Sequence, residues 1–226
     1  MMKLDRIGST TLLCLCLLGT WNLAHAQATH EAPAQCAKFT TIDHKASQPL
    51  QGVTLPPARD CAPRTGSKGF LIPDPTCTPG AINPTLTAAV LKDPEFTTKC
   101  VRNETTTEEQ KNSTYGWYHI KHPAHNEGAT QTCELDHLIS LELGGADTLD
   151  NLWPQCGPDG VPLNERFFKH KDLVEDHLAV MVKEGKMELA EAQQQIARDW
   201  TQFIDAAKTT CSTKHCKPEP DHPEGK

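Results

Sequence analysis

The chain has 226 residues and a formal net charge of −7, which excludes a basic protein that coats nucleic acid through its overall field. At 37% hydrophobic and 5% aromatic residues it can bury one modest core, so disulfides are expected to add to its stability. The one long apolar run lies near the N terminus and is too short to span a bilayer comfortably, so stable membrane insertion is not expected.

That run, Leu12 to Leu18, follows Lys3 and Arg6 and precedes Ala24-His25-Ala26. Charge, short apolar stretch and small residues together predict a signal peptide over 1–26, cleaved near Ala26, and hence a secreted or periplasmic protein. Eight cysteines follow it, at 36, 61, 77, 100, 133, 156, 211 and 216. An even number in an oxidising compartment predicts four disulfides. Cys133 and Cys156 bracket the segment discussed below, and Cys211 with Cys216 would close a short local loop. No Cys-x-x-Cys pair is present, which disfavours a structural zinc site.

Residues 27–76 are Pro-rich, with Pro56-Pro57 and Pro73-Asp-Pro75, and predict an irregular segment pinned by Cys36 and Cys61. Asn83-Pro84 predicts a helix over 84–92, and Thr106-x-x-Glu109 a second helix that stops at Gly116. His119, His122 and His125 recur at three-residue intervals, but Pro123, Asn126 and Gly128 make this stretch a loop, so the imidazoles are not expected to converge. Leu135, Leu138, Ile139, Leu141 and Leu143 predict an extended segment over 133–143, with a turn at Gly144-Gly145. Leu149–Trp153 predicts a second extended segment, ended by Pro154. Phe167, Val174, Leu178 and Met181 predict a helix to Lys183 that stops at Gly185, and a further helix is expected over 188–207, burying Leu189, Ala192, Ile196, Trp200 and Phe203. Residues 209–226 read as a polar tail. Trp153 and Trp200 suit a core better than a base-stacking platform.

Chemistry concentrates between 133 and 175. Asp136-His137 sets a carboxylate beside an imidazole, and Asn151 follows fourteen positions after the histidine. Phosphodiester hydrolysis needs a nucleophile near neutral pH and neutralisation of phosphate charge. An imidazole can take a proton from water, which suits His137 to the role of general base. A carboxylate is a hard oxygen ligand, which suits Asp136 to a divalent ion. Neighbours on a strand point to opposite sides, so the pair should fill two separate roles.

The order strand, loop, strand, helix, with Asp-His at the first and Asn at the second, resembles the ββα-metal fold of HNH nucleases, and in particular a group of small, exported bacterial HNH-type proteins. Glu134-Leu-Asp-His-Leu-Ile139, Leu141-Glu-Leu-Gly-Gly145, Asn151-Leu-Trp-Pro-Gln155, Lys171-Asp172 with Glu175, Ala192-Gln193 and Asp199-Trp200 carry the likeness. It spans 77–208 in organisation, with a core motif over 133–184. The resemblance implies an α+β domain with a ββα-metal core, additional helices and a disulfide-stapled N-terminal segment. It also implies an endonuclease that cleaves nucleic acid, DNA first and RNA as the alternative, with a divalent ion, magnesium first and manganese or zinc as alternatives.

On that basis Asp136 is a metal ligand, Asn151 either a ligand or the organiser of the histidine-bearing loop, and His170 a candidate third ligand. His170 lies one residue beyond the expected position, now held by Lys169, and one residue turns a side chain by about 100° on a helix. Arg166, Lys169 and Lys171 are candidates for phosphate contact. Two alternatives stand beside the enzyme: a non-catalytic module on the same scaffold that binds nucleic acid or a partner, and a disulfide-rich structural protein that binds zinc.

Overall fold

Cys133–His137 (β5) and Leu152–Cys156 (β6) form the antiparallel hairpin on which the site is built. Its register pairs Cys133 with Cys156, Asp136 with Trp153 and His137 with Leu152. The computed structural model describes residues 34–50, 60–103, 105–106, 108–212 and 216. The expected signal peptide, part of the 27–76 segment and most of the expected tail lie outside the described residues.

Among the described residues the remaining strands are two-residue pairs: Gln48–Pro49 (β1) with Ala81–Ile82 (β4), and Arg64–Thr65 (β2) with Leu71–Ile72 (β3). The helices are Ala88–Leu91 (α1), Glu108–Trp117 (α2), Phe167–Lys183 (α3), Leu189–Asp199 (α4) and Ile204–Ser212 (α5). The class is thus α+β. Among the described residues four disulfides are present: Cys36–Cys100, Cys61–Cys77, Cys133–Cys156 and Cys211–Cys216. Such a set forms and persists in oxidising compartments, which fits an extracellular or periplasmic protein. No helix among the described residues is long and apolar enough to cross a membrane.

Helical periodicity explains the core. Val174, Leu178 and Val182 repeat every four residues along α3 and meet Ala192 and Ile196 of α4 and Ile204 and Ala207 of α5, with Trp200 between. Ile139 and Leu143, from the loop after β5, join the same cluster. A second cluster sets Trp153 of β6 against Trp117, Tyr118 and the Cys61–Cys77 bridge. Both tryptophans are therefore core residues.

Several boundaries differ from expectation. α1 begins at Ala88 with Thr87 as its cap, because Asn83 instead accepts bonds from the amide and hydroxyl of Thr85 and forms a turn. α2 runs through Gly116 to Trp117. β5 ends at His137 and gives way to a 3-10 turn over Leu141–Leu143. Pro154 lies inside β6 rather than at its end. The single helix expected over 188–207 is broken at Asp199, whose carboxylate accepts from the amide and hydroxyl of Thr201 and from the amide of Ser67.

Between the two strands the chain doubles back sharply. Gly144 sits at φ 74°, in the left-handed region. A Cβ on Gly145 would lie 1.8 Å from the Ile139 carbonyl oxygen, a backbone atom that cannot move aside. Gly145→Ala is therefore expected to lower the unfolding free energy by at least about 3 kcal/mol, or to block folding, in urea denaturation. A loss below about 1 kcal/mol would contradict this close approach.

Candidate active site

Strand alternation separates the two residues of the central dipeptide, as expected. Asp136 turns towards α3 and accepts from the Lys171 ammonium at 3.1 Å (Oδ1) and 2.9 Å (Oδ2). Its strand partner Trp153 donates the indole N–H to Oδ2 at 3.3 Å. His137 turns instead to Asp147, with Nε2 2.9 Å from Oδ1.

Asp147 was not marked out by the sequence, and it defines the state of the histidine. It accepts the Asn103 amide at 2.8 Å, and the Lys111 ammonium lies 3.7 Å away. Burial alone would raise its pKa. The hydrogen bond from His137 and the attraction of His137 and Lys111 outweigh that and hold the carboxyl well below its usual range. Since Asp147 is ionised, Nε2 must carry the N–H, and Nδ1 keeps the lone pair. The His137 pKa is pushed down to about 4, first by burial and then by the nearby Arg102 and Lys111 charges, with Asp147 opposing. At neutral pH the ring is therefore an uncharged acceptor with one fixed tautomer, and its side chain keeps 12% of its surface open.

Asn151 is fully buried and holds the loop. Its amide nitrogen donates to the Ile139 and Ala146 carbonyls, both at 2.9 Å, and its oxygen accepts the Ile139 amide at 3.0 Å. Of the two roles expected for it, loop organiser is the one these contacts fill. His170 turns its ring to Phe70, with centroids 5.0 Å apart, and its Nδ1 is buried without a partner. The three side chains expected to hold a metal are thus not brought together. Among the described residues no group of three or more His, Cys, Asp or Glu is placed to hold one. His119 pairs with Asp60, and His122 packs on Tyr115.

The expected phosphate contacts also change. Lys171 is fully buried, because position 171 continues the stripe of Val174, Leu178 and Val182 and so faces inward. It binds Asp136, the His137 carbonyl oxygen at 2.7 Å, and Glu175 one turn along, so it cannot reach a phosphate. Arg166 is buried against the Pro158 carbonyl, and Lys169 donates to Asp172 at 3.0 Å. The positive charges that act on the His137 ring are those of Arg102 and Lys111, from sequence segments well before the motif.

The lowered His137 pKa fixes a sign for stability. Between pH 6.5 and about 4 the unfolded chain binds the proton and the folded one does not, so stability is full above 6.5 and falls as pH drops through that window. The expected loss is on the order of 3 kcal/mol. An NMR titration should place the His137 imidazole near 4, and a midpoint at or above 6.5 would refute the buried, neutral assignment.

Compared with family models, with curated proteins and with solved structures, the chain matches none, so the role of this site rests on its own residues and their geometry.

Proposed function

We propose that the protein is an endonuclease that hydrolyses phosphodiester bonds of nucleic acid, DNA in preference to RNA, outside the cytoplasm. The observation that carries this reading is the His137–Asp147 pair at the end of β5: a neutral imidazole with its tautomer fixed by a buried carboxylate. In this account Nδ1 of His137 takes a proton from water while the water oxygen attacks phosphorus and the bond to the leaving oxygen breaks. The proton makes an imidazolium, and Asp147 stabilises that charge through Nε2, as an acid partner does in other His-centred sites. A bound phosphate near Arg102 and Lys111 would offset the two charges that now depress the His137 pKa, making the base stronger when substrate arrives.

The scaffold supports the same reading: strand, loop, strand and helix follow in the order that the likeness to HNH nucleases implies. The metal set that the likeness implies does not fit the residues present, since Asp136 is already paired with Lys171, Asn151 with backbone and His170 with Phe70. That same mismatch favours a second reading, a non-catalytic module that binds nucleic acid or a partner without turnover.

Cleavage assays separate the two. With plasmid DNA and with RNA, each in magnesium, manganese or EDTA, the wild type should cut, and His137→Ala should lose roughly 10²- to 10⁴-fold in rate. Equal cutting by the variant would refute the role of His137, and binding without cutting in every condition would establish the second reading. Asp147→Asn should reduce turnover by at least about tenfold while leaving nucleic-acid affinity within about twofold, because it disturbs the tautomer and not the binding surface.

A further inference from the structure

The Lys171 ammonium is bonded in a way that its neighbours do not require for packing alone. It has three N–H donors, and three oxygen groups receive them: the Asp136 carboxylate, the Glu175 carboxylate and the His137 carbonyl. Its side chain is 1% exposed, Asp136's 8% and Glu175's 19%. Two carboxylates and a backbone carbonyl converging on one buried positive centre form the kind of donor set that hard divalent cations take from proteins. The indole of Trp153 and the carbonyl of His137 tie that set to both strands, and residues 171 and 175 tie it to α3 at i, i+4.

The charges do not balance around a single ammonium. Asp136 and Glu175 together carry two negative charges when ionised, against one on Lys171. Without the lysine the same oxygens would present a formal charge of two, the charge of a divalent ion. With it, an incoming ion would have to share two carboxylates with a fixed positive group at close range, which is strongly unfavourable in a buried site.

We propose that Lys171 is the resident cation of this site, standing in place of a divalent metal between Asp136, Glu175 and the His137 carbonyl. It is a positioning residue: it neutralises the acid half of the dipeptide and holds the backbone of the basic half. Asp136 is thereby withheld from an incoming ion, since the cation it was expected to hold is supplied by the chain.

The test reads ion occupancy rather than cleavage, so its outcome is independent of whether His137 is a general base. Manganese binding to the purified, oxidised protein is followed by the loss of the free-ion EPR signal. Wild type and Asp136→Asn should give the same titration up to about 1 mM ion, because no vacant site uses Asp136. Lys171→Ala should take up one equivalent at least about tenfold more tightly than wild type, and the double variant Lys171→Ala, Asp136→Asn should lose that gain. If Lys171→Ala is unfolded without metal, the proposal requires that about 1 mM manganese restore folded protein, seen by circular dichroism. Binding of one equivalent to wild type that disappears in Asp136→Asn would overturn the proposal. So would a folded Lys171→Ala without added affinity, or an unfolded one that manganese does not rescue.

Discussion

Closure of the loop between β5 and β6 is the constraint on which the rest of the site depends, and the Asn151 amide side chain anchors it alongside the loop's own backbone bonds. Asn151 satisfies the Ile139 carbonyl and amide and the Ala146 carbonyl in a fully buried place. Groups left unpaired there would each lose on the order of 1–3 kcal/mol. The same closure presses Gly145 onto the Ile139 carbonyl and carries Asp147, two residues on, to the face of His137. Ile139 and Leu143 drop into the core against α3 as the loop turns. Packing, turn geometry and the histidine's partner therefore share one set of hydrogen bonds.

Around this loop the fold keeps two separate charge systems on opposite sides of one strand. On one side a carboxylate is ionised and a histidine neutral, with cations beyond them; on the other an ammonium is saturated by oxygens. Both are buried, and a buried charge is tolerated only when its partners are complete. The arrangement depends on the hairpin more than on any one pair, because the pleat is what sends Asp136 and His137 apart.

How much of this was legible in the sequence varies with how local the signal is. The hairpin, its bridging cysteines, α3 and the Asp136-His137-Asn151 spacing were readable because each is written within a few turns of contiguous chain. Asp147 lies in the same stretch yet looked like an ordinary acid after a turn, since its burial depends on Asn103 and Lys111, which belong to another segment. In the sequence Lys171 looks like one of a basic group with Arg166 and Lys169, although helical spacing aligns 171, and not 169, with Val174 and Leu178; the period carries the information and the charge obscures it. The break at Asp199 was hidden for the opposite reason. Apolar residues keep their helical spacing across it, while the cause is a side-chain cap shared with Ser67.

The Cys133–Cys156 bridge joins residues directly opposite each other at the end of the hairpin away from the dipeptide. Asn151 clamps the other end, so the two strands are indexed at both limits. A slip of one residue would flip every side chain to the other face. Asp136 would then meet the ionised Asp147, and the imidazole would meet the Lys171 ammonium, so both exchanges would set like against like or leave a charge without its counterpart. Such a misaligned hairpin is penalised covalently at one end, by lost hydrogen bonds at the other and by electrostatics in between. The acid and the base keep their places because exchanging them is opposed in three independent ways.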